Sequence, residues 1–98
     1  MASIGGLAGC GANEDRTALA VRSARWTEQG ELVVIVECAK VTEREVRPGA
    51  GAEGLPLVTL WGRPRVGRCR TEVTLPVPTG TTRIEDAATG KVVDLPQR

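Results

Sequence analysis

The sequence predicts an all-β protein, a small sandwich of about seven short strands. Val, Ile, Thr and Trp make up 27 of the 98 residues, and β-branched and aromatic side chains pack well on a pleated sheet. Most of the 12 Gly and 6 Pro residues lie between apolar runs, where turns are needed. Alternating apolar and polar runs recur at roughly even spacing along residues 17–95. A small β-barrel would leave a similar pattern and stays open as the alternative.

The first predicted strand covers residues 17–26, where small and apolar side chains can share a face. A helix capped by Asn13 is the alternative for the same residues. The strand is preferred because a turn at 27–30 leads into the strongest strand candidate, residues 31–39, and a hairpin is the simplest connection. This second strand has an apolar centre on both faces, which predicts a position in the middle of a sheet.

The later strands are weaker or shorter. One of them is highly charged, which predicts a weak strand or a sheet edge. Pro76 marks an edge or a bulge because proline cannot donate to a ladder. A hairpin is expected at the end of the chain. The strands are expected at residues 41–46 (the charged run), 56–61, 69–77, 82–86 and 91–95, with a flexible loop at 47–55, a basic loop at 62–68 and a turn at 87–90.

The length of 98 residues corresponds to one domain. Residues 1–16 are rich in Gly and Ala and then become small and polar, without apolar periodicity. A disordered arm, or the remnant of a signal peptide followed by a tether, is expected there. The single β-sandwich domain is expected to span residues 17–98.

Composition excludes several classes of function. The chain has no His, which excludes His-based zinc sites and catalysis by Ser-His-Asp or Cys-His groups. A net charge of +1 excludes a strong whole-chain preference for nucleic acid or for an acidic membrane surface, and only Trp26 and Trp61 could stack on bases. We therefore expect no enzyme, no cofactor and no metal site. The carboxylates that could form a catalytic pair each fit a solvated strand face or turn: Glu37, Glu43, Glu45, Glu72, Glu85 and Asp86.

The strand pattern over residues 17–95 resembles that of immunoglobulin-like and fibronectin type III-like domains. The resemblance rests on the number of strands and on their alternation. It implies a small sandwich of about seven short strands.

The tetrapeptide Leu7-Ala8-Gly9-Cys10 resembles the lipobox of bacterial lipoproteins at all four positions. In that family the Cys thiol is diacylglycerated and the chain is cut just before it. The resemblance implies a lipid on Cys10, a polar tether at residues 11–16 and a domain on the exterior face of the cell envelope. No basic and apolar signal segment precedes Leu7 here, so the true start would lie upstream of Met1. In the alternative the tetrapeptide is a chance match.

Cys38 and Cys69 lie at equivalent positions, each on the apolar face of its strand. Several strands fit between them, so a disulfide would close a long loop and stabilise the fold by about 3–4 kcal/mol on the loop-entropy argument. The oxidising compartment that the lipobox resemblance implies favours the bridge. Two free, buried cysteines are the alternative. A metal site is not expected, because no His or second Cys pair completes four ligands.

Four arginines fall within eight residues with no acidic residue among them: Arg63, Arg65, Arg68 and Arg70. Gly and Pro make this segment a loop, and Trp61 stands beside it. The cluster predicts a small anion-binding surface for phosphate, an anionic polymer or the acidic patch of a partner protein. A solvated basic loop in an arginine-rich chain is the alternative.

From these features the sequence predicts a non-enzymatic interaction or structural module of the cell envelope, anchored by a lipid on Cys10. The alternative is a cytoplasmic or virion-associated β-domain. That domain would bind a protein or an anionic polymer through residues 63–70.

Overall fold

The computed structural model of the chain describes residues 16–97, which form two packed β-sheets. The regular structure of residues 16–97 consists of strands and one short 3-10 turn, without an α-helix. No helix in this part of the chain is long and apolar enough to cross a bilayer. The elements are β1 (Thr17–Ala18), β2 (Ser23–Trp26), β3 (Leu32–Glu37), β4 (Ala39–Arg47), the 3-10 turn (Ala52–Gly54), β5 (Leu57–Pro64), β6 (Arg70–Leu75), β7 (Arg83–Asp86) and β8 (Lys91–Asp94).

The three-stranded sheet has the order β2-β3-β6, and both of its pairings are antiparallel. β3 lies in the middle, as the apolar centre on both of its faces predicts. Leu32, Val34 and Val36 are fully buried on its inner face. β6 ends at Leu75, directly before Pro76, so the proline follows the ladder instead of interrupting it.

An ion pair covers the outer face of this sheet. Arg25 pairs in register with Val33, and Glu72 pairs in register with Ile35. The guanidinium of Arg25 meets the carboxylate of Glu72 at 3.0 Å, so the two side chains cross β3 above its outward apolar residues. Their methylene stems cover apolar surface, and Val33 is only 5% exposed.

The five-stranded sheet is built around β5. β4 pairs with β5 antiparallel over its length and extends beyond the predicted residues 41–46 at both ends. The opposite edge of β5 is shared by β1 and β7, and β8 pairs with β7 as the predicted hairpin. The β5–β7 pairing is parallel, because β6 carries the chain through the other sheet between them. β4 pairs only with β5 and is an edge strand, as its charges predict.

The first predicted strand is in fact two strands that belong to different sheets. The strand interpretation is confirmed over the helix, but its continuity is wrong, since β1 pairs with β5 and β2 pairs with β3. Leu19 donates its N–H to the Leu60 carbonyl oxygen, and Arg22 donates its N–H to the Ile35 carbonyl oxygen, both at 2.8 Å. The chain therefore changes sheets within residues 19–22. Alternation does not reveal this change, because it needs only a bend in an extended chain.

The basic loop is shorter than predicted, because β5 continues to Pro64. Gly62, expected in the loop, is buried in β5 and pairs in register with Val41 on one side and Thr17 on the other. A Cβ at Gly62 would lie 2.5 Å from the Lys40 carbonyl oxygen. The glycine thus allows the close approach of β4 to β5, which extends the ladder into the predicted loop.

One apolar core lies between the inner faces of the two sheets. Residues 16–97 form two separate sheets and no closed barrel, so the sandwich prediction is confirmed over the barrel. The core consists of aliphatic side chains, with Trp26 packed at its margin. Its buried members are Leu19, Leu32, Val34, Val36, Ala39, Val58, Leu60, Val73, Leu75, Val77, Ile84 and Leu95.

Candidate functional site at the basic end

A disulfide joins the end of β3 to the start of β6. Cys38 follows β3 and Cys69 precedes β6, one position beyond the register pair of Glu37 with Arg70. The two Cα atoms are 4.8 Å apart, a separation that suits a bridge between directly opposite residues. The predicted bridge is confirmed, and β4 and β5 lie in the loop that it closes.

The segment between β5 and the disulfide is a tight loop over residues 65–69. Arg65 donates its backbone N–H to the Cys38 carbonyl oxygen at 2.9 Å. Gly67 has a φ of +140°, a conformation that favours glycine over residues with a Cβ. The hydrogen bond, the glycine and the disulfide together hold this loop against the end of β3.

Six cationic side chains surround the loop and the disulfide, and all six are exposed. Four of them are the predicted loop arginines. The two others come from different strands or connections: Lys40 pairs in register with Arg63, and Arg22 leads into β2. We call this cluster the basic end, and it comprises Arg22, Lys40, Arg63, Arg65, Arg68 and Arg70.

A groove of about 370 Å³ opens beside the disulfide. Arg22 lines the groove because β2 joins the three-stranded sheet next to β3. Sequence reasoning missed this residue, because its position depends on the change of sheets at residues 19–22. Two of the four predicted arginines line the groove, whereas Arg63 and Arg65 do not. The side chains in its lining that carry charge or sulfur are Arg22, Glu37, Cys38, Arg68, Cys69 and Arg70.

The charges of the basic end are unpaired, unlike most others on the surface. Within residues 16–97, none of its six cations makes an ion pair or a side-chain hydrogen bond. The net charge of +1 therefore conceals a local excess of positive charge at one end of the sandwich. The arginines that do meet a glutamate form the pairs Arg16–Glu43, Arg25–Glu72, Arg47–Glu45 and Arg83–Glu53.

Trp61 lies next to the basic end and is partly covered. The guanidinium of Arg16 lies 5.0 Å from the centroid of the indole ring, within the range of a cation–π interaction. The same guanidinium donates to Glu43 Oε1 at 2.6 Å. Trp61 therefore fixes the position of Arg16, the first described residue, beside the basic end.

Val66 stands at the tip of the loop and is fully exposed. It follows Arg65 directly, with Gly67 and Arg68 after it. Val92, on β8, is also exposed, but much less so. Sequence reasoning missed Val66, because a valine in a β-rich chain is expected in the core and exposure at a loop tip depends on how the loop is held.

Asp86 is not the solvated residue that the sequence predicts, since it is only 2% exposed. Its carboxylate accepts the N–H of Val21 at 3.0 Å, the N–H of Ala88 at 3.1 Å and the hydroxyl of Thr89 at 3.3 Å. Val21 lies where the chain changes sheets, between the two ladders. The carboxylate therefore satisfies backbone donors inside the fold, and these bonds occupy it.

The described residues bring no set of three potential metal ligands together. Cys10, the predicted lipidation site, lies outside the described residues. Comparison of the chain with protein-family models, curated proteins and solved structures finds no match.

Proposed function

We propose that this chain is a non-enzymatic interaction module of the cell envelope, held on the exterior face of a membrane by a lipid on Cys10. The observation that carries the proposal is the disulfide between Cys38 and Cys69. Structural disulfides persist in oxidising compartments and are rare in the cytoplasm. An exported chain needs an anchor to stay at the envelope, and the lipobox-like residues 7–10 supply one.

In this role the sandwich presents the basic end to an anionic group. The groove sets three guanidinium groups, from Arg22, Arg68 and Arg70, around one concave surface. Guanidinium groups bind phosphate and carboxylate oxygens through charge-assisted hydrogen bonds. Because the disulfide and the Arg65 backbone hydrogen bond hold the loop, little of its freedom is lost when an anion binds.

The anchor is tested in cells that carry the gene, with a C-terminal tag and whatever sequence lies in frame upstream. We expect an alkyne-labelled fatty acid to be incorporated and the mature chain to start at Cys10. The matched variant Cys10→Ser should lose the label and remain unprocessed. An intact mass that shows an unmodified Cys10 in the mature protein would overturn the proposal.

A second candidate function needs no anchor, and the unpaired cations of the basic end favour it. In this alternative the chain is a cytoplasmic or virion-associated domain that binds a protein or an anionic polymer through residues 63–70. Titration with a poly(glycerol phosphate) chain should show weak binding that falls steeply with salt, because exposed charges carry it. Replacing Arg63, Arg65 and Arg68 with Ala should abolish the binding without unfolding the sandwich. If the wild type and the triple variant bound the polymer equally, the arginine-rich loop would be a solvated loop without a ligand.

A further inference from the structure

We infer that the basic end docks on anionic phospholipid headgroups, with Val66 inserted among them, when the chain is held at Cys10. The inference rests on the proposed anchor and adds the orientation of the domain. In this orientation the disulfide end faces the bilayer and the opposite end of the sandwich faces outward.

The N-terminal arm joins the sandwich at the basic end. Thr17 pairs in register with Gly62, the residue directly before Arg63. Arg16 stacks on Trp61, which lies two positions before Arg63 in β5. The chain from Cys10 therefore enters the fold at the basic end and not at the opposite one.

The length of that arm limits how far the basic end can lie from a lipid on Cys10. Six residues separate Cys10 from Thr17, so even a fully extended chain spans no more than ~25 Å. A lipid on Cys10 would keep the basic end within this distance of the bilayer surface.

The basic end carries an excess of positive charge. The six cations of the basic end have no carboxylate partner within residues 16–97. The acidic residues described near them are fewer. They are Glu37, which lines the groove, and Glu43 and Glu72, which are already paired with other arginines. Glu14 and Asp15 precede Arg16 in the sequence. Anionic phospholipids supply a dense layer of phosphate oxygens, and each arginine near such a surface strengthens binding about fivefold. A whole-chain charge of +1 does not prevent this, because the attraction acts within about one Debye length, ~8 Å.

Val66 gives the basic end an exposed apolar tip. A fully exposed aliphatic side chain between Arg65 and Arg68 loses water contact when the loop meets the boundary between headgroups and acyl chains. The loop cannot fold back to hide it, because the disulfide and the Cys38 carbonyl hold its base. An apolar tip between two unpaired arginines matches a bilayer surface, which is anionic at the headgroups and apolar beneath them.

The test uses the full chain in oxidised, unlipidated form and its flotation with vesicles. We expect binding to phosphatidylglycerol–phosphatidylcholine vesicles and none to phosphatidylcholine alone. Arg65→Ala/Arg68→Ala should weaken binding roughly 30-fold, whereas the charge-matched control Arg47→Ala/Lys91→Ala should change it less than about threefold. Val66→Asp should weaken binding roughly tenfold or more, and Val92→Asp should have little effect.

Equal losses in the variants and their controls would show that net charge alone governs binding, and they would overturn the inference. All four variants must keep the melting temperature of the wild type, as expected when exposed side chains are replaced. These vesicle results do not depend on whether cells lipidate Cys10, so failure of the anchor and failure of the docking surface are separable.

Orientation is read from the two tryptophans. Trp61 lies beside the arm, whereas Trp26 pairs with Leu32, the residue of β3 farthest from the disulfide. With Cys38 and Cys69 bridged, Cys10 is the only free thiol of the three cysteines and can be coupled to a maleimide lipid. On vesicles with nitroxide-labelled headgroups, Trp26→Phe, which leaves Trp61, should be quenched more strongly than Trp61→Phe. Equal quenching, or the reverse order, would overturn the proposed orientation.

Discussion

The two sheets of the sandwich are held in register by different kinds of interaction. In the three-stranded sheet, β3 and β6 pair without a break from Leu32–Leu75 to Glu37–Arg70, and the disulfide continues that ladder. In the five-stranded sheet, β5 has three partners, and one of its pairings contains a bulge between Val41 and Glu43. Its ladders are also regular on either side of the bulge, but two of its features depend on single residues, Gly62 and Asp86.

The difference shows which features of a sheet are repeated along the sequence and which depend on one residue. The three-stranded sheet depends on alternation, which many residues share, so losing one side chain removes only part of the pattern. The five-stranded sheet depends on Gly62 for the approach of β4 and on Asp86 for the sheet change. We expect its stability to be concentrated in these few positions.

The edge strand β4 is protected against pairing with a second chain by more than the number of its charges. Arg44 pairs in register with Leu60, whose side chain is buried, yet Arg44 is exposed. A charged residue at an inward position, together with a bulge, hinders pairing with a second chain. β4 is thus a long edge strand that resists edge-to-edge association.

The largest predicted effect concerns the three-stranded sheet. Replacing both Cys38 and Cys69 with Ala should lower the free energy of unfolding by about 3–4 kcal/mol, because the bridge closes a long loop that contains β4 and β5. Urea unfolding followed by tryptophan fluorescence measures it. Treating the wild type with reductant should give a similar loss, and no change in either sample would show that the bridge does not restrict the unfolded chain.

The next effect concerns the sheet change. Asp86→Ala should cost about 3 kcal/mol, since it leaves the Val21 N–H and neighbouring donors without an acceptor inside the fold. Asp86→Asn keeps one side-chain oxygen and should cost less. The measurement is again urea unfolding. If Ala and Asn at this position were equally well tolerated, the carboxylate would not hold the crossover between the sheets.

A smaller effect is expected at Gly62, where an added methyl would collide with backbone. Gly62→Ala should destabilise the protein by about 2 kcal/mol, because β4 must move away from β5. Gly80→Ala is the control, since its Cβ meets nothing within 4 Å and the residue has a φ of +98°, so that only conformational strain of about 1 kcal/mol is added. Thermal melting distinguishes the two. A control variant less stable than Gly62→Ala would contradict the packing argument.

The sequence predicts the three-stranded sheet better than the five-stranded one, for a physical reason. Alternation places Leu32, Val34 and Val36 with Cys38 on one face, and this placement leads to the disulfide. The sheet change, the parallel pairing of β7 and the burial of Asp86 depend on contacts distant along the chain, which leave no periodic signal.

The candidate site divides in the same way. The arginine-rich loop can be read from the composition of residues 63–70, because like charges cluster there without acidic neighbours. Arg22 and Lys40 cannot be read in this way, since one depends on the sheet change and the other on the length of β5. The exposure of Val66 follows from how the disulfide holds the loop.

The smallest predicted effect compares one ion pair on each sheet. Arg25–Glu72 lies at 3.0 Å and spans β3 above Val33, whereas Arg83–Glu53 lies at 3.3 Å between β7 and a turn. Both pairs are about half exposed or more, so solvent screens them and the coupling should be no more than about 0.5 kcal/mol for the first and smaller for the second. Double-mutant cycles with Gln at each position, followed by urea unfolding, measure the two couplings.

Arg25→Ala should cost more than Arg25→Gln, because Ala also removes the stem that covers Val33. Equal losses for Ala and Gln, with equal couplings on the two sheets, would show that the outer face of the three-stranded sheet gains nothing from its ion pair.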